Sequence, residues 1–201
     1  MAKRVVLAGL AGGAAMFIWM SLAHVVLPLG ETGVQEIPSE PDVLAAMHAS
    51  LGEKSGLYLF PATGAPLNAT SQEKNAAMQH YDERLAANPS GLLVYHPPGA
   101  TGLTARQLAT EFLTELLEAF LAVFLLAQTR IGSFSGRLGF VTIAGVLASL
   151  PTNVSYWNWY GFPSNYTVVY MLTQIVGFVC VGIVAAAMMR KTAPKVVSAA
   201  A

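Results

Sequence analysis

The sequence predicts an all-α membrane protein, a four-transmembrane-helix bundle with a small α/β extracytoplasmic cap between helices 1 and 2. Three observations predict it. Of the 201 residues, 54% are hydrophobic and only 11% charged, with a mean hydropathy of +0.52, whereas soluble domains carry about 25% charged residues. Four apolar stretches, 5–29, 108–127, 139–154 and 166–189, match the roughly 20 residues that a hydrocarbon core demands. The charges also divide by side. Lys3, Arg4, Arg130, Arg137, Arg190, Lys191 and Lys195 all fall on one face of a four-span arrangement, with no acid among them.

That asymmetry sets the expected orientation. Basic residues stay on the cytoplasmic side, so both termini and the 129–137 loop are expected there, in a cell (inner) membrane. Residues 30–103 and the 155–165 loop are expected outside. The domain reading is a first transmembrane helix over 1–29, the cap over 30–103, helices 2–4 over 104–191, and a cytoplasmic tail over 192–201.

Residues 1–29 resemble a secretory signal, with Lys3-Arg4, an apolar run, and Ser21-Leu22-Ala23 before His24. The apolar run continues to Leu29, long enough to span, so it is read as a retained helix. Gly9 and Gly13 give it small-xxx-small spacing, which permits close helix contact.

In the cap, Ser39-Glu40-Pro41-Asp42 reads as a helix start with Ser39 as cap, and Gly52 as its stop. Gly56–Phe60 with Pro61, and residues 92–96, read as short strands. Thr70-Ser71-Gln72-Glu73 reads as a capping box opening a helix to about Ala87. The order is α-β-α-β, so the strands are expected to pair through a crossover helix. Two strands make a poor core alone, so the cap is expected to pack on the bundle's outer mouth.

The third span is the weakest, because Pro151 and Asn153 interrupt its end. The aromatic run from Ser155 to Tyr166 reads as an interfacial loop, where amphipathic rings sit among headgroups. Asn68-Ala-Thr, Asn153-Val-Ser and Asn165-Tyr-Thr match glycosylation acceptors. The Ala/Gly-rich, compact chain is bacterial in character, so they are read as chance matches.

The most informative stretch runs from Thr104 to Gln128. Glu111, Glu115 and Glu118 are spaced i, i+4 and i+7, within one narrow arc of a helix. Each ionisable group at membrane depth costs about 2.5 kcal/mol or more and turns to a bundle interior or to water. At about 1.5 Å per residue, the three lie roughly 10, 16 and 21 Å from the outer end. His24 on the first helix and Gln174 on the fourth reach comparable depths, so His24 is expected to meet Glu111, and Gln174 to meet Glu115 or Glu118. Beyond Glu118 the same stripe becomes Ala122 and Leu125. The polar track is therefore expected to open outward and end near the midplane, as a blind cleft.

Other chemistry is thin. His48, His80 and His96, with Met47 and Met78, are weak candidates for a soft metal, since none shares ligand spacing on one element. Cys180 is the single cysteine, which excludes an intramolecular disulfide. No basic patch supports nucleic-acid binding. There is no GxSxG, HExxH, P-loop or GxGxxG motif in its context, and no cofactor is expected.

Three functional classes follow. The first is an accessory or assembly subunit whose acidic stripe is buried in the bundle, with Gly9, Gly13, Gly177, Gly182 and Ala186 facing a membrane-protein partner or a second copy. The second is an outward cleft that binds or passes a cation, proton or small polar ligand, using Glu111, Glu115, Glu118, His24 and Gln174. The third is a membrane-embedded enzyme. The lipid bilayer is a partner in every case.

Overall fold

Helical propensity and apolar length dominate the result. In the computed structural model, which describes residues 2–66 and 68–189, the order is α1 (Ala2–Ser21), α2 (Glu40–Leu51), β1 (Gly56–Phe60), α3 (Ser71–Ala87), β2 (Gly91–Tyr95), α4 (Ala105–Ala127), α5 (Phe134–Tyr160) and α6 (Ser164–Met188). A π-helical turn, Leu22–Val26, extends α1. The expected tail over 192–201, with Arg190, Lys191 and Lys195, lies outside the described residues.

The protein is mostly helical, and among the described residues three helices are, by length and composition, long and apolar enough to cross a membrane: Ala2–Val26, Phe134–Tyr160 and Ser164–Met188. Helix α4 is not among them. Any stretch of it long enough to span takes in all three glutamates.

Two units compose the chain: Met1–Val34, Leu103–Asn158 and Phe162–Ala201 form one, and Gln35–Gly102 with Trp159–Gly161 the other. In the first, α1 runs antiparallel to both α4 and α6. Gly9 lies on Phe120 and Gly13 on Leu116, and Phe17 meets Phe112 edge-on, ring centroids 5.1 Å apart. Each step is four residues on both helices, the i±4 ridge pattern. Glycine is needed here because a Cβ on Gly13 would sit 2.7 Å from the backbone of Leu116.

On the other flank Gly12 receives Val181, Gly177 receives Met16, and the Trp19 indole N–H donates to the Thr173 carbonyl at 2.8 Å. Helix α5 packs antiparallel to α6 through Gly145 under Phe178 and Gly182 under Leu138 and Val141. Val123, Val141 and Val181 are fully enclosed at the centre. The small residues that a partner interface would have used are therefore occupied by this chain's own helices.

Several boundaries differ from expectation for identifiable reasons. Pro151 does not end α5, which continues to Tyr160. Polar side chains flank the proline: Ser149 donates to the Val146 carbonyl at 3.0 Å, and Asn153 to the Ser149 carbonyl at 2.7 Å. Neither bond reaches the Leu147 carbonyl, the i−4 group that Pro151 leaves without its helical N–H. The aromatic run 155–160 is thus helix rather than loop. The first helix stops at Val26, short of Leu29, and the π turn closes with Leu27 N–H on the Leu22 carbonyl at 2.9 Å.

In the second unit, β1 and β2 pair antiparallel, with Gly56 opposite Tyr95 and Phe60 opposite Gly91. A parallel crossover was the sequence expectation. Helix α3 does lie between the strands, but the chain returns in the opposite direction. The Thr70 capping box forms, with Thr70 accepting from Glu73 N–H at 3.3 Å and Glu73 accepting from Thr70 N–H at 2.7 Å. Ser39 does not cap α2. It adopts a left-handed backbone, φ 55°, and its side chain makes no capping bond. Gly52, φ 58°, does end α2.

Candidate functional site

Helix α4 presents three distinct rows. Phe112, Leu116 and Phe120 point at α1. Glu115, Ala119, Ala122 and Leu126 are buried, a three-four spacing that faces the bundle centre. Leu113, Leu117, Leu121 and Phe124 are exposed. The acidic arc straddles the second row, so its members part company. Glu111 is exposed, Glu118 is half-buried, and Glu115 is only 2% exposed. Past Glu118 the buried row continues through Ala122 and Leu126, whereas Leu125 faces outward.

Both carboxyl oxygens of Glu115 are enclosed and have no hydrogen-bond partner among the described residues. A buried carboxyl without partners forfeits its hydration with nothing in return.

Glu118 has a different setting. It lines a cavity of about 330 Å³ together with Thr152, Asn153 and Tyr156 of α5 and Tyr166, Tyr170 and Gln174 of α6. Asn153 organises the back wall. One amide N–H donates to Ser149 and the other to the Gln174 side-chain oxygen at 3.1 Å. With both donors used, the Asn153 carbonyl oxygen is left as an acceptor, while the Gln174 amide retains its N–H donors.

The aromatic wall is continuous. Tyr156 meets Phe162 at 5.3 Å between centroids, Phe162 meets Tyr166 at 5.7 Å, and Tyr166 stacks on Tyr170 at 5.7 Å with planes 18° apart. Tyr166, Tyr170 and Gln174 recur every four residues, which places them on one face of α6.

Neither a family model, nor a curated protein, nor a solved structure matches this chain. The chemistry of the site must therefore be read from its own residues.

Of the sequence candidates, the fold brings Glu118 and Gln174 into one cavity. Glu115 lies on the same helix but does not line it. His24 is elsewhere: its ring lies against Gly30, and its Nδ1–H donates to the Met20 carbonyl at 2.9 Å. Glu111 also stays off the cavity wall. In the sequence Asn153 reads as an interruption and Tyr156 and Tyr166 as part of an interfacial belt, while Tyr170 carries no assigned role. The four-residue repeat Tyr166, Tyr170, Gln174 is the signal that could have found the α6 wall; no such repeat marks Asn153 or Tyr156 on α5.

In the second unit, His48 and His96 line one cavity of about 440 Å³ with Met47. His80 is exposed on α3, its Nδ1 3.6 Å from Glu83. Among the described residues no three His, Cys, Asp or Glu are placed to hold a metal ion.

Arg137, expected as a loop cation, is instead 4% exposed. Its guanidinium donates to the Ile131 carbonyl at 3.1 Å and to the Ala186 carbonyl at 3.5 Å. A cation at the end of α6 complements the negative pole of that helix.

Proposed function

We propose that this is a four-span membrane protein whose α4–α5–α6 pocket binds a small cation or cationic ligand at Glu118. The observation that carries the reading is the pocket itself: one half-buried carboxylate in a cavity of about 330 Å³ rich in hydrogen-bond acceptors. A carboxylate in a recessed, partly apolar site attracts a positive ligand more strongly than it would in bulk water.

Counting α4 as the fourth span is supported by its three rows. Its exposed residues from Leu117 to Leu125 are all apolar, and Glu115 and Glu118 turn inward, which is where ionisable groups in membranes reside. Lys3, Arg4 and Arg130 lie at the ends of α1 and α4 that the antiparallel packing brings together. This supports a cytoplasmic face there and a pocket in the extracytoplasmic half.

A pure assembly role is less well supported. The small residues assigned to a partner face are covered within the chain, and among the described residues Glu115 makes no interhelical hydrogen bond.

The test is thermal unfolding of detergent-purified protein, screened against millimolar inorganic and small organic cations. Wild type should be stabilised by at least one of them, Glu118→Gln should lose the response, and Glu111→Gln should keep it. Equal responses in wild type and Glu118→Gln, or no response to any cation, would defeat the reading.

A further inference from the structure

Resting on that reading, we infer that the ligand of the Glu118 pocket is an organic ammonium ion and not a metal ion. The donor count argues first. Hard divalent cations take six to eight oxygen ligands, usually with several carboxylates. Among the described residues Glu118 is the one acid lining this cavity.

The walls argue second. Tyr156, Phe162, Tyr166 and Tyr170 form one unbroken series of ring contacts along the cavity. A bare metal ion gains little from that surface. A cation with apolar substituents gains both burial and attraction to the ring quadrupoles, the mode that recognises alkylammonium groups.

Size argues third. About 330 Å³ is at the lower end of small-molecule sites, roughly 300–1,000 Å³, and far more than one dehydrated ion fills. The polar groups match a single charged head: Glu118 supplies the counter-charge, and the Asn153 carbonyl oxygen can accept an N–H, its own donors being committed to Ser149 and Gln174.

The experiment is isothermal titration of purified protein with tetramethylammonium and with ethylammonium, set beside sodium and calcium chlorides at equal ionic strength. At least one ammonium ion should bind, and excess sodium or calcium should not displace it. Tyr170→Leu should weaken binding roughly 2- to 30-fold, the range for loss of one cation–π contact, while Tyr170→Phe should stay close to wild type. Circular dichroism checks each fold, and Tyr166→Leu is read in its place if Tyr170→Leu does not fold. Glu118-dependent binding of calcium or sodium without binding of either ammonium would overturn this inference and leave the cation reading standing. Unchanged ammonium affinity in a folded Tyr→Leu variant would overturn it as well. Binding of neither class to wild type would remove both.

Discussion

Gly13→Ala is the sharpest probe of how α1 seats against α4. A Cβ at this position falls 2.7 Å from the Leu116 Cα and 2.7 Å from its Cδ2, where ordinary contact begins near 3.4 Å. The Leu116 side chain can rotate away, but its Cα moves only if the helices separate by several tenths of an ångström. Overpacking of this kind costs about 1–3 kcal/mol. For a chain of this size that is a loss of roughly 2–12 °C in Tm. Gly139→Ala is the matched control, because it lies within α5 and a Cβ there meets nothing within 4 Å. Both substitutions gain similar helix propensity, so the difference between their melting temperatures isolates the contact. Thermal melts in one detergent, followed by far-UV circular dichroism, measure it. Equal melting temperatures for the two variants would refute the packing of α1 on α4.

Other expectations follow from single contacts. Glu115→Met should raise stability, by about 1–3 kcal/mol, because it removes a buried carboxyl that has no hydrogen-bond partner; a lower Tm would show that the carboxyl makes a favourable interaction. Trp19→Phe removes the indole bond to the Thr173 carbonyl and should cost about 0.6–1.7 kcal/mol in unfolding measurements. Thr70→Ala opens the capping box of α3 and should speed amide exchange in its first turn roughly 2- to 30-fold. Hydrogen bonds from the Thr70 backbone and then its hydroxyl hold the Glu73 carboxyl below its ordinary value. That protection should therefore be present at neutral pH and fade as pH falls through the low end of the carboxylate range; exchange rates independent of pH after correction for intrinsic chemistry would contradict it.

Much of the fold could be read from local signals, and the failures have physical causes. Thr70 and Glu73 sit at capping-box spacing, and the box forms because both partners belong to one turn. The strands were visible from composition, but alternation carries no information about direction, so the antiparallel pairing of β1 with β2 was hidden. Pro151 misleads because its penalty is local, whereas the contacts of Gly145 with Phe178 and of Gly182 with Leu138 and Val141, which seat α5 on α6, form only in the fold. The acidic arc was legible as an arc. Its division into exposed Glu111, buried Glu115 and pocket-lining Glu118 was not, because that depends on which helices cover α4. The cavity was half-visible for the same reason: Glu118 and Gln174 announce themselves as polar groups in apolar helices, while Tyr166 passes for an ordinary interfacial aromatic, and Tyr170 carries no assigned role, until α5 lies beside them.

The central proposal is that α4 crosses the bilayer with Glu115 and Glu118 turned into the protein. The most direct measurement is spin-label accessibility along α4 in liposomes, using single cysteines in a Cys180→Ala background. The account predicts oxygen accessibility maxima at Leu113, Leu117, Leu121 and Phe124, which are 62%, 58%, 50% and 46% exposed, with a polar relaxation agent reaching Glu118→Cys more readily than Leu117→Cys or Leu121→Cys. Oxygen maxima at positions 115 and 118, or uniform access of the polar agent along the whole helix, would contradict it.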